Sequence, residues 1–160
     1  MSRAFVKESE DGGADALPEL AISPHRNLVT PVGLAQIEDR LKVLQEELQQ
    51  ARQATDKATL ARAERDHRYW SARRQTAEVV PLPAAADVVR FGAIVSLEDD
   101  AGRQVRYQIV GEDESDPGAG KISYVSPLGK AVLGCAAGDE PVVDGRVWSV
   151  VGIDVPDASA

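Results

Sequence analysis

Cysteine occurs once in this chain, at Cys135, and two classes of chemistry fall with that scarcity. A lone thiol closes no internal disulfide and builds no multi-thiolate metal site, and between Gly134 and Ala136 it reads as a small buried filler. Neither histidine, His25 or His67, lies near it in sequence, so no base is at hand to make it a nucleophile. Aromatic residues make up only 4% of the chain, too few for the stacking platforms that hold single-stranded nucleic acid or a sugar. No apolar run approaches the ~20 residues that cross a bilayer. The N-terminal stretch MSRAFVKESEDGGADALPEL is charged throughout and lacks the apolar core of a signal peptide, so a soluble, cytoplasmic protein is expected. The formal net charge of -8 opposes a chain-wide affinity for phosphate backbones and points to protein partners or to a locally basic segment.

The 160 residues have room for one ordinary domain or two small ones with modest, aliphatic cores. Residues 1–27 are rich in acids (Glu8, Glu10, Asp11, Asp15, Glu19) around Gly12-Gly13 and poor in apolar groups, which predicts a disordered acidic arm. Order is expected from NLVTPVG onward, with Thr30 as helix N-cap and Pro31 at the first helical position, where its missing amide costs nothing. Leu34, Ile37, Leu41, Leu44 and Leu48 then recur at alternating steps of three and four, the seam of a coiled coil. A second helical segment is predicted from about Leu60 to Ala77, with Leu60, Ala63, His67, Trp70 and Ala77 on one side. His67 and Trp70 read there as packing residues of the seam, since a lone histidine lacks the company of a metal site. The short connection makes the two helices antiparallel neighbours over residues 28–80.

Pro81 and Pro83 stop the helix, and 81–89 reads as a linker. From residue 90 to 156 the apolar period becomes two. Val105, Tyr107 and Ile109 alternate with Arg106 and Gln108, and Val147, Ser149, Val151, Ile153 and Val155 form a second alternating run. Asp99-Asp100-Ala101-Gly102 reads as a turn, Asp144-Gly145 as a hairpin and Pro117 to Gly120 as a loop. Within KISYVSPLGKAVLGCAAGDE, residues 121–140, a short strand gives way to a helix capped by Ser126, started by Pro127, faced inward by Leu128, Ala131 and Val132, and ended by Gly134. This helix fits a sheet-closing role, and a docking role remains open beside it. The fold class expected is α+β.

The order LVTPVGLAQIEDRL, a helical hairpin, RFGAIVSL, YQIVGEDESDP, ISYVSPLGKAVLG and GDE resembles the Gre family of bacterial transcription elongation factors over about residues 28–155. The resemblance implies an antiparallel coiled coil followed by a small FKBP-like β-sheet domain with one short helix. It also implies a partner: bacterial RNA polymerase, with the sheet domain docked at the rim of the secondary channel and the coil inserted toward the active centre. Tip carboxylates would there help the polymerase's own Mg2+ cleave backtracked RNA. On this reading the protein is not itself an enzyme, carries no cofactor of its own, meets nucleic acid only within the polymerase complex, touches no membrane and is a monomer.

At the tip the sequence departs from the family. The family pattern is GDLKENAEY-like or GDRSENADY-like, whereas the bend here reads QATDKATLARAERD, without an Asp-x-x-x-Asn core. Each arm is also shorter by about ten residues, which at a rise of ~1.5 Å per residue removes roughly 15 Å of reach. Asp56 is the candidate magnesium ligand and Glu64 the candidate helper for water. Asp56 also fits as the first residue of a helix, with Glu64 and Asp66 as solvated charges. Arg62, Arg65 and Arg68 are the RNA-facing candidates, because Ala51 to Thr76 holds seven basic residues against three acidic ones. Pairing with Glu38, Asp39, Glu46 and Glu47 of the first helix is the equal alternative. The docking candidates are Asp113 and Glu114, in the acidic loop from Glu112 to Asp116, and Ser126, Pro127 and Leu128. Three functions compete: a cleavage-stimulating elongation factor, a non-cleaving occupant of the channel like the short-coil relative Rnk, and a peptidyl-prolyl isomerase suggested by the FKBP-like fold alone.

Overall fold

The computed structural model describes residues 17–157. A two-residue strand β1 (Leu28–Val29) leads into helix α1 (Pro31–Gln53), a tight turn at Ala54 and Thr55, and helix α2 (Lys57–Thr76). A short strand β2 (Glu78–Val79) follows and pairs in parallel with β1, so the two ends of the hairpin are joined by backbone hydrogen bonds. Thr30 caps α1 by accepting the Gly33 amide at 3.0 Å, with Pro31 in the first turn.

The helices pack chiefly on each other. Leu44 and Leu48 of α1 meet Ala63 of α2, whose methyl lets the backbones approach, and Leu60 and Trp70 flank that contact. Ile37, Leu44 and Leu48 of the predicted seam are buried, while Leu34 and Leu41 are half-buried. The helices therefore form a rod. The second helix starts earlier than the predicted Leu60: α1 continues to Gln53 and α2 begins at Lys57, because Asp56 caps it.

Part of the acidic arm expected to be disordered, residues 1–16, lies outside the described residues. The remainder is an extended strap laid against α2 and the second domain, contrary to that expectation. Glu19 meets Arg68, Ser23 donates to Glu112 at 3.0 Å, Arg26 pairs with Glu78, and the Tyr124 hydroxyl donates to the Arg26 carbonyl. Charge supplies what the strap lacks in apolar burial, with Glu19 on Arg68 of the basic helix and Arg26 on Glu78.

After an irregular stretch, strands β3 (Ile94–Glu98) and β4 (Gln104–Val110) form an antiparallel pair. A 3-10 turn at Pro117–Ala119 leads to β5 (Lys121–Ser123), helix α3 (Pro127–Val132), the small hairpin β6 (Val142–Val143) and β7 (Arg146–Val147), and β8 (Ser149–Asp154). The main sheet runs β5-β4-β3-β8, with β5 parallel to β4 and the other neighbours antiparallel. One face is covered by α3 and residues 88–91 around Val89, Val95, Leu97, Ile109, Val132 and Val150. The fold is thus α+β. The expected linker 81–89 ends early: Val88 bridges to Ala136, and Val89 is already core.

The last strand departs from its predicted alternation. Its register against β3 shifts at Ser96/Leu97, leaving Val151 without a partner and 46% exposed, while Val150 is buried and Ile153 packs on the core. The sequence phase put Val151 and Ile153 on one face with Ser149. A bulge adds one residue and so switches the face within the strand.

Candidate functional site

Two regions of this frame are candidates for function: the hairpin tip, and the surface of the sheet domain around α3. A third region, the root of the hairpin, decides how those two are placed relative to each other.

At the tip, Thr55 adopts a positive φ of 54° and so turns the chain within two residues. Asp56 then accepts the Thr59 amide at 3.1 Å through Oδ1 and the Thr59 hydroxyl at 2.7 Å through Oδ2. The Thr59 hydroxyl, and then its amide, hold the Asp56 carboxyl below the usual carboxylate range. Asp56 is exposed and ionised, and each of its oxygens accepts one hydrogen bond from Thr59. Glu64 lies eight residues on, ~12 Å along the helix, with Arg52 3.8 Å from its carboxylate. No three residues among the described His, Cys, Asp and Glu stand close enough to hold a metal ion. The two candidate carboxylates are therefore not brought together.

The arginines proposed to face RNA are all paired. Arg62 reaches Glu47 at 3.0 Å and Asp66 at 3.4 Å, and Arg65 reaches the largely buried Asp66 at 2.8 Å. Arg68 forks onto Glu19, the one partner that belongs to the strap and not to the rod. Glu19 is held below its ordinary pKa chiefly by this Arg68 hydrogen bond.

The acidic loop is where the structure corrects the docking candidates. Asp113 and Glu114 turn inward to the root of the hairpin, with only 11% and 3% of their side chains exposed. Arg73, almost fully buried near the end of α2, donates from Nε to Asp113 Oδ2 at 2.6 Å, and Tyr69 donates to Oδ1 at 3.0 Å. Glu114 accepts the Thr30 hydroxyl and the Lys121 ammonium, the latter at 3.2 Å. Asn27 accepts from Arg73 at 2.7 Å and donates to the Arg73 carbonyl at 2.8 Å. Close backbone approach fixes the same place: a Cβ at Gly33 would stand 2.6 Å from Glu114 Oε1, and one at Gly111 would overlap the Leu28 carbonyl oxygen. Burial, followed by the Asp113 charge, pushes the Tyr69 phenol up to about 12. Sequence reasoning missed Asn27, Tyr69 and Arg73. A polar residue just before a capped helix and an arginine in the last turn of the second helix were the available signals, and each is common.

Around α3 the candidates remain near the surface. Ser126 accepts the Gly129 amide at 3.0 Å and thus caps the helix, Pro127 is exposed, and Leu128 is half-buried. Gly129 has to be glycine, because a Cβ would overlap the Ser123 carbonyl oxygen. Leu128, Val143, Asp144, Arg146 and Trp148 line a cleft of about 340 Å³ open to solvent, with the Arg146 guanidinium 5.7 Å from the Trp148 ring centroid. Val142 and Val147, 60% and 43% exposed, stand beside it. Cys135 takes no part, and burial raises its thiol pKa, which disfavours the thiolate.

The sheet domain matches the family model for the C-terminal part of the transcription elongation factors GreA/GreB over residues 84–153. The transcription elongation factor GreA of Rhodospirillum rubrum is 38% identical over 139 aligned positions, covering 69% of this chain and 83% of that protein. The chain belongs to the GreA/GreB family of transcription elongation factors. GreA of Desulfovibrio desulfuricans is 42% identical over 97 residues, and that match takes in 57% of this chain and 60% of the relative. The match to GreA of Sphingopyxis alaskensis, 50% identical, is confined to 60 residues, 38% of either chain. Among solved structures, GreA factor homolog 1 of Thermus thermophilus is 25% identical, covers 81% of this chain and 99% of that one, and superposes with a TM-score of 0.39. The alignment with the Rhodospirillum GreA has 139 positions but takes in only 69% of the 160 residues here, so about 29 positions of that alignment have no residue of this chain opposite them. No helix among the described residues is long and apolar enough to cross a membrane.

Proposed function

We propose that this protein binds bacterial RNA polymerase at its secondary channel and regulates elongation by occupying the channel, without stimulating RNA cleavage. The observation that carries the second half of the proposal is the state of the tip. Its one well-placed carboxylate, Asp56, caps α2 through both oxygens, and Glu64 is ~12 Å away and faces Arg52. Holding a catalytic magnesium ion takes carboxylate oxygens free to approach it to ~2 Å. The protein needs no cofactor of its own on this reading, since the only Mg2+ involved is the polymerase's.

Docking falls to the sheet domain. The cleft beside α3, with Leu128, Val143 and Trp148 as apolar wall and Pro127 exposed at the helix start, supports this reading; Asp113 and Glu114, turned inward, do not serve it. A proline-isomerase reading has less support, because the cleft has Trp148 as its single aromatic wall.

The second reading, cleavage stimulation, is favoured by the exposure and ionisation of Asp56 at the extreme of the rod. Stalled, backtracked elongation complexes distinguish the two. The expected result is competition with a cleavage-competent Gre factor and no RNA shortening by this protein alone. Shortening that Asp56→Asn abolishes would overturn the proposal in favour of cleavage, and failure to associate with polymerase would overturn both.

A further inference from the structure

We infer that Arg73 is a positioning residue: it sets the angle at which the helical rod leaves the sheet domain, and so fixes where the tip arrives once that domain is docked. The inference takes its purpose from the polymerase reading, while its geometry stands without it. Arg73 joins three segments distant in sequence. Its side chain reaches Asp113 in the loop after β4 at 2.6 Å and Asn27 in the strap at 2.7 Å, and it lies 3.8 Å from Glu112. Its carbonyl is held as well, by the Asn27 amide nitrogen at 2.8 Å. Among the described residues, Glu112 Oε2 is the buried side-chain oxygen without a hydrogen-bond partner, and the Arg73 cation is its nearest counter-charge.

Two features make this a device for direction and not only for cohesion. Tyr69 and Arg73 are four residues apart, on one face of α2, and they hold the two oxygens of the same Asp113 carboxylate. Two grips one turn apart on a helix restrain its tilt and its rotation together. The fork of a guanidinium is rigid, and a buried cation keeps its place only beside its acids, so the arrangement has one favourable geometry. The lever is long: seventeen residues separate Arg73 from Asp56, ~26 Å of helix, so a slack of ~10° at the root moves the tip by ~4–5 Å. That exceeds the ~3 Å span of a hydrogen bond.

The test measures angle and function separately. In a Cys135→Ser background, spin labels at Ala58→Cys on the rod and Asp100→Cys on the sheet domain report the distance distribution between them. Arg73→Lys keeps the charge and loses the fork; Arg73→Met removes both, and if it does not fold, Arg73→Lys decides alone. The expected result is a distribution at least about twofold broader in Arg73→Lys with unchanged helical circular dichroism. Polymerase affinity should stay within about threefold while the maximal effect on elongation falls at least about fivefold. An unchanged distribution in every folded variant overturns the inference, as does a broadened one that leaves the maximal effect intact. If the wild-type protein does not act on polymerase at all, the functional reading fails, and the distance distribution still decides whether Arg73 sets the angle.

Discussion

Arg73 meets Asp113 across the boundary between rod and sheet domain at 2.6 Å, with 2% and 11% of the two side chains exposed. Removing one partner of such a buried pair strands the other. Asp113→Ala is expected to destabilise the protein by about 3–5 kcal/mol, and Asp113→Asn, which still accepts hydrogen bonds, by less. Urea unfolding followed by circular dichroism at 222 nm checks the order.

Tyr69 shares that carboxylate, and its phenol keeps its proton to about 12 in the folded protein. An unfolded tyrosine ionises near ~10. Between these values the unfolded state binds fewer protons than the folded one, so this contribution to stability is complete below pH ~10 and is lost as pH rises through the folded value. Absorbance titration at 295 nm should show a phenol titrating late. Asp113→Asn should bring it down only part of the way, because burial is the larger cause.

Two glycines make a controlled comparison. A Cβ at Gly129 overlaps the Ser123 carbonyl oxygen, whereas one at Gly134 meets nothing within 4 Å and faces only the strain of a φ of 83°. Gly134→Ala should therefore cost about 1 kcal/mol, the usual penalty of left-handed backbone. Gly129→Ala should cost about 2–3 kcal/mol, in the range of an overpacked core. Thermal melts of the pair test this, and equal losses would contradict the close approach.

The bulge in β8 predicts a reversal at adjacent positions. Val150 is 1% exposed and Val151 46%. Val150→Ala should lose about 2 kcal/mol of buried side chain, whereas Val151→Ala should stay within about 0.5 kcal/mol. A strand that alternated without interruption would give the opposite order.

That reversal shows where a one-dimensional reading stops. Thr30-Pro31 and Ser126-Pro127 were legible as helix starts because a cap and its amide lie three residues apart, and Asp144-Gly145 was legible as a turn because both residues take the positive φ it needs. The bulge was not, since its cause is a register shift against β3, some fifty residues away in sequence. Asp113 and Glu114 looked available for a partner because the groups that claim them, Arg73 and Thr30, lie 40 and 84 residues upstream. Asp56 read as a magnesium ligand or as the first residue of a helix, and the Thr59 bonds place it one residue earlier, as the cap of α2.

The parallel pairing of Leu28–Val29 with Glu78–Val79 ties both feet of the rod at one point. Everything beyond that knot is free to change length, provided equal numbers of turns are added to or taken from each arm and the seam stays in phase. The hairpin can thus serve as an adjustable gauge on an unchanging mount, since trimming it at the far end leaves the strand pairing at the base in place. The reach of the rod can be tuned in this way without redesigning the part that anchors it.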